Sequence, residues 1–185
     1  MRIKDVEKKE RIIQSSLDLI FEEGIHNFSF GKMCEKAGVS SGTPYVYYKN
    51  KKDMLSQLFN HCYNVIFKEF KNCLNGKNTK ENIYNSVNYL LKQLIEHPKE
   101  YYYIECIFLN RDLVNEEDLI DNFNFKEVKE IYDSAVKEDL LITKDYLTLI
   151  ALVFRPGIFY IATERDVKLQ DLEDLIRISV DSVLK

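Results

Sequence analysis

The sequence predicts an all-α chain, and two observations carry that expectation. Apolar residues recur at spacings of three and four along most of the chain, and helix breakers are few. Only 6 glycines and 3 prolines interrupt 185 residues, of which 45% are hydrophobic and 30% charged. That composition suits long helices joined by short connections. No segment alternates at period two for long enough to argue a sheet. About nine helices are expected, in two parts: a three-helix head over residues 1–50 and a larger helical domain over residues 51–185.

The first helix is expected from Asp5 to Glu23, with Ile13, Leu17, Ile20 and Phe21 as its core-facing stripe. Gly24 should end it, because glycine best takes the left-handed conformation of a helix stop. Ser29 caps a short helix from Phe30 to Ala37, and Gly38 stops it. Val39-Ser40-Ser41-Gly42 makes a tight connection into a second short helix that runs to Tyr47 or Tyr48. Asn50 caps the next helix, with Asp53 set against the positive end of its dipole. That helix is expected to run unbroken from Lys51 to about Leu74, with Leu55, Leu58, Phe59, Cys62, Ile66 and Phe70 inward. Asn75-Gly76-Lys77-Asn78 is a turn. Further helices are expected at Thr79–Glu96, Pro98–Leu109, Glu116–Leu140, Asp145–Thr163 and Leu169–Leu184. Pro98 suits a first helical position, where its missing N–H costs nothing. Arg155-Pro156-Gly157 should kink the penultimate helix.

Several function classes are disfavoured. The N-terminus is dense in charge and lacks the apolar core of a signal peptide, and no apolar run reaches the ~20 residues of a membrane span. A cytoplasmic protein without membrane partners is therefore expected. Cys34, Cys62, Cys73 and Cys106 are scattered without metal-ligand or disulfide spacing, so no metal or other cofactor is expected. His26, His61 and His97 lie on separate segments, with no nucleophile motif or glycine-rich phosphate loop; an enzyme is not expected. The formal net charge of −4 divides unevenly, +2 over residues 1–60 and −6 beyond. This permits nucleic-acid contact at the N-terminal end without demanding it.

Residues 29–55 read S-F-G-K-M-C-E-K-A-G-V-S-S-G-T-P-Y-V-Y-Y-K-N-K-K-D-M-L. Two short helices across a turn of small residues is helix-turn-helix geometry. Ala37 and Gly38 allow close approach, and Val39 plugs the turn. The second helix is too short to be stable alone. It presents Thr43, Tyr45 and Tyr47, with Lys51 just beyond, groups able to hydrogen-bond phosphates and base edges in a major groove.

From Ile12 to Leu55 the chain resembles the tetracycline-repressor (TetR) family. The first helix ends at Gly24, Phe28-Ser29 leads the second, and A-G-V-S, G-T-x-Y-x-Y-Y and K-N-K follow. The resemblance implies that Ser41, Gly42 and Thr43 open the recognition helix and face double-stranded operator DNA. It also implies that Tyr45 and Tyr47 contact phosphates or bases, that Lys51 meets a phosphate, and that Ser29 caps its helix and touches the DNA backbone. Tyr48 stands where relatives usually have a packed phenylalanine. Pro44 departs from the family's usual aliphatic residue; it disfavours α conformation at Thr43 and should delay the helix start to about that residue.

The C-terminal part matches the family only in helix count and length. Wide apolar stripes on the last two helices, through Leu147, Ile150, Phe154, Ile158, Ile161, Leu172, Leu175, Ile176, Ser179 and Val183, would pair with their mates in a four-helix homodimer interface, as the resemblance also implies. Packing of both stripes within one chain is the alternative. An aromatic-rich region between head and tail suggests an apolar cavity for a small hydrophobic ligand, with Tyr89, Tyr102, Tyr103, Cys106, Phe108 and Phe125 as lining candidates. The function expected is a ligand-responsive regulator, a repressor by the family's usual mode, that binds a palindromic operator as a dimer and is released by the ligand. The alternative is the same fold as a constitutive or protein-controlled DNA binder.

Overall fold

Helix α1 (Ile3–Glu23) forms where the sequence places an amphipathic stripe, and Ile13, Leu17 and Ile20 are buried as expected, with Ile12, Ser16 and Leu19 beside them. Phe21 sits one residue beyond that stripe and stays partly exposed, its ring edge-on to Tyr102 at 5.4 Å. Ser16 is fully buried and satisfies its hydroxyl by donating to the Ile12 carbonyl at 2.6 Å. Gly24 takes φ 83° and ψ 155°, an extended positive-φ region open essentially to glycine, rather than the left-handed helical conformation expected.

The computed structural model describes residues 3–115, 117, 126–163 and 168–185. Two compact units emerge, Met1–Val65 with Pro98–Phe123, and Ile66–His97 with Asn124–Lys185.

In the first unit, α1 packs against α2 (Phe30–Ala37) and α7 (Pro98–Leu109). Tyr103 of α7 is fully buried and donates to the Leu55 carbonyl at 2.7 Å. Leu55 lies on α4 (Lys51–Phe67), whose start is capped as expected: Asn50 Oδ1 accepts from the Asp53 N–H at 2.9 Å. Lys99 closes on Asp18 at 2.5 Å.

The unbroken helix expected to reach Leu74 instead stops at Phe67, and a short α5 (Phe70–Cys73) follows. No glycine or proline explains the break. Tyr89 does: its hydroxyl donates to the Ile66 carbonyl at 2.9 Å and accepts from the Glu69 N–H at 3.3 Å. A side chain from elsewhere in the same unit thus replaces a rung of the helical ladder.

In the second unit α6 (Thr79–Glu96) is central, packing against α5, α8 (Lys126–Lys137), α9 (Tyr146–Thr163) and α10 (Leu169–Asp181). Asn78 caps α6 by accepting from Glu81 N at 2.9 Å. Gly157 lets α9 approach closely, since a Cβ there would stand 2.5 Å from Cδ1 of the buried Leu91. Helix α9 runs through Pro156 as one element, although proline cannot donate to the Leu152 carbonyl. The chain end is stitched to the α8–α9 connection by Ile142 N to Val183 O at 3.0 Å and Lys185 N to Leu140 O at 2.8 Å. Among the described residues this isolated bridge is the only β pairing.

Candidate functional site

The N-terminal site is built by turn chemistry. Ser29 lies in extended backbone and its Oγ accepts from the Lys32 N–H at 3.3 Å, fixing the start of α2. Gly38 is left-handed (φ 64°, ψ 41°), and the Val39 N–H returns to the Cys34 carbonyl at 3.0 Å, so the chain reverses sharply after Ala37. Met33, Cys34 and Ala37 are buried beneath α2, and two salt bridges of 2.6 Å, Lys32–Glu23 and Lys36–Glu22, tie it to α1.

Ser40 to Thr43 form a tight turn: Thr43 N donates to Ser40 O and the two hydroxyls meet, each at 2.9 Å. Ser41 and Gly42 stand exposed at its centre. The recognition helix α3 spans only Pro44–Tyr47, with proline in its first turn as anticipated. Thr43 nevertheless adopts α conformation (φ −61°, ψ −42°), because the turn bonds hold it there against the bias of the following proline.

The side chains of α3 divide sharply. Pro44 is buried and Tyr48, just beyond the helix, is almost fully so. Burial pushes the Tyr48 phenol up to about 12, with the Asp53 carboxylate adding to the effect. Tyr47 is half-buried, and its hydroxyl donates to the Asp5 carbonyl at 3.3 Å. Tyr45 and Val46 project, 64% and 77% exposed, and the Tyr45 ring leans edge-on against Phe30 at 5.4 Å. Val46 escaped the sequence reading because a one-turn helix has no periodicity to mark its outer face. Lys51 donates to the Phe28 carbonyl at 2.6 Å and sits over the Phe28 ring at 5.5 Å. One ammonium donor is committed there and two remain. Ser41, Gly42, Tyr45 and Val46 thus form one exposed edge, while Tyr47 and Lys51 anchor its flanks.

The expected ligand-lining residues are divided between the units, with Tyr102, Tyr103, Cys106 and Phe108 in the first and Tyr89 in the second. Tyr103 is core, Tyr89 braces the break after α4, and Tyr102 hydrogen-bonds to Cys106 beside Phe21. Phe108 lies under the Arg111 guanidinium at 5.9 Å, and Phe125 falls outside the described residues. The second unit holds instead a cavity of about 70 Å³, open on one side, between α6, α8 and α9. Among the described residues, none of those expected lines it.

The apolar stripe assigned to pairing also needs correction. Phe154, Leu172, Ile176, Ser179 and Val183 are buried within their own unit. A side chain already covered has no area left to bury against a partner, and the inward alternative holds for these five. Ile150, Ile158, Ile161 and Leu175 are half-buried. Leu147 is 73% exposed and begins a different row on α9, Leu147, Ala151, Arg155 and Phe159, four residues apart and all exposed. Leu152 and, on α10, Ile178 are also exposed.

A helix-turn-helix whose second helix offers an exposed edge from a fixed turn defines the class of helical regulators with an N-terminal reading head. Residues 12–58 match the model of the bacterial regulatory proteins of the tetR family. Residues 12–58 thus form a head of the TetR type. The chain is similar to the fatty acid metabolism regulator protein of Bacillus subtilis, 42% identical over 52 residues, 28% of this chain and 27% of that one. It is also similar to an HTH-type transcriptional regulator of Staphylococcus aureus, 26% identical over 107 residues, 57% and 58% of the two chains. The matches thus span about a quarter to three-fifths of these relatives' lengths. In fold, a TetR family transcription regulator from Marinobacter aquaeolei superposes with a TM-score of 0.85 over 100% of both chains at 20% identity. One from Haemophilus influenzae gives 0.71, also over 100% of both, at 23% identity. At these identities the likeness is one of fold.

Proposed function

We propose that the chain is a repressor that binds a palindromic operator in double-stranded DNA as a homodimer and is released by a small hydrophobic ligand. The observation that carries this reading is the exposed Tyr45–Val46 edge, displayed from a turn whose every bond serves to hold it. A valine methyl surface suits contact with a thymine methyl, and tyrosine and serine hydroxyls suit base edges and phosphates. One such helix supplies too few base contacts for useful specificity, so two related by a dyad, about one helical turn (~34–36 Å) apart, are required. The exposed α9 row through Leu147 and Phe159 provides apolar surface for the pairing.

Release follows from a ligand that favours the conformer unable to bind. Taking operator occupancy from ~99% to ~1% requires a ~10⁴-fold preference, about 5.5 kcal/mol. The relative named for fatty acid metabolism matches over 52 residues, 27% of its own length, so no ligand is carried from it to this chain.

Anisotropy titrations of labelled duplex DNA at stepped salt test the DNA reading. Lys51→Ala should weaken every sequence alike and flatten the salt slope by about one unit per subunit, as expected for one lost phosphate contact. An unchanged slope would assign Lys51 solely to holding the Phe28 carbonyl.

A further inference from the structure

The cavity of the second unit carries a feature that the sequence does not reveal. Its walls come from α6, α8 and α9, with Ile83, Val87, Ile131, Val153 and Phe154 among them, and its lining among the described residues includes no Asp, Glu, Lys, Arg or His. Three polar side chains reach it. Ser86 donates to the Ile83 carbonyl at 2.8 Å, and Tyr132 donates to the Lys144 carbonyl at 2.6 Å. The third, Tyr146, has its hydroxyl shielded from solvent and without a hydrogen-bond partner. Its ring lies edge-on to Tyr132 at 5.1 Å. Buried hydroxyls are nearly always paired, and an orphan in a cavity marks a group waiting for an occupant.

We propose that this cavity binds a small uncharged apolar molecule bearing one hydrogen-bonding oxygen, of the phenol or alcohol class, with that oxygen paired to the Tyr146 hydroxyl. An ionised ligand is disfavoured because nothing in the walls compensates its lost hydration. A pure hydrocarbon would fill the space but leave the hydroxyl unpaired. The cavity volume of about 70 Å³ is under half of the ~150 Å³ that admits benzene in an engineered apolar cavity, so the open side must accommodate part of a ring-sized molecule. Binding stands on the cavity alone; its regulatory meaning rests on the ligand-responsive reading above.

Calorimetry on the full chain with phenol and toluene, two probes of nearly equal shape, tests the site. Wild-type protein should bind phenol about three- to tenfold more tightly than toluene, the span of one hydrogen bond. Tyr146→Phe should abolish that preference while raising the melting temperature of the free protein, since an unpaired buried hydroxyl is removed. Equal affinities in the wild type, a phenol preference that survives Tyr146→Phe, or no binding of either probe would overturn the proposal. Operator anisotropy with phenol present separates the two readings. Tyr146-dependent binding without loss of DNA occupancy upholds the site and removes the ligand response. DNA binding by a protein that ignores phenol removes the site and leaves the DNA reading intact.

Discussion

Tyr45 and Tyr48 lie three positions apart and in opposite physical situations. Tyr45 touches the Phe30 ring and otherwise faces water, so its removal should cost little folding energy. Tyr45→Ala and Val46→Ala are each expected to leave stability within ~0.5 kcal/mol of wild type, while weakening operator binding by about 1–3 kcal/mol. Denaturant melts and anisotropy on the same samples check the split. Tyr48 is the reverse case. Its phenol is raised from the usual 10 to about 12, by burial first and by Asp53 second, so the fold favours the neutral form. The stability this confers is complete below pH 10, where the unfolded tyrosine begins to ionise, and is lost as pH rises to about 12. Relative to Tyr48→Phe, the wild type should lose roughly 2–3 kcal/mol across that interval, measurable by urea titration at stepped alkaline pH.

Helices were legible wherever their stops are local. Asn78 and Pro98 set the starts of α6 and α7 through chemistry within one turn, and both helices match their expected bounds. The break after Phe67 was not legible, because a tyrosine more than twenty residues away makes it. Periodicity likewise identified apolar stripes on α9 and α10 but could not say which stripe faces in; Leu172, Ile176 and Val183 proved to be core. The exposed edge is legible through Ser29, Gly38 and the Ser40–Thr43 turn that follows them, whereas Val46 and Tyr146 carry no local signal of exposure or isolation. The α6–α9 approach yields its own prediction. Gly157→Ala gains about 1 kcal/mol in helix propensity but drives a methyl into Leu91, which is enclosed and cannot step aside. Overpacking of this kind costs about 1–3 kcal/mol, so the variant should be less stable on balance. Combining it with Leu91→Ala should recover part of both losses, seen as a non-additive double-mutant cycle.

At the scale of the molecule, one edge of four exposed residues is too little to select a site, and the α9 row through Leu147 and Phe159 presents apolar surface to solvent. Both are resolved if two chains pair. Leu147 and Phe159 are 73% and 71% exposed, and placing aspartate at both should turn a dimer into a monomer by sedimentation without altering the far-UV helical signal. Operator affinity should fall with it, since each head then binds alone. The most direct measurement is selection of bound sequences from random duplex DNA by the purified protein. A two-fold symmetric sequence, with half-sites one helical turn apart and preference at both arms lost together in Val46→Ala, is the predicted result. Recovery of no enriched sequence, even in dilute salt and without added ligand, would contradict the account.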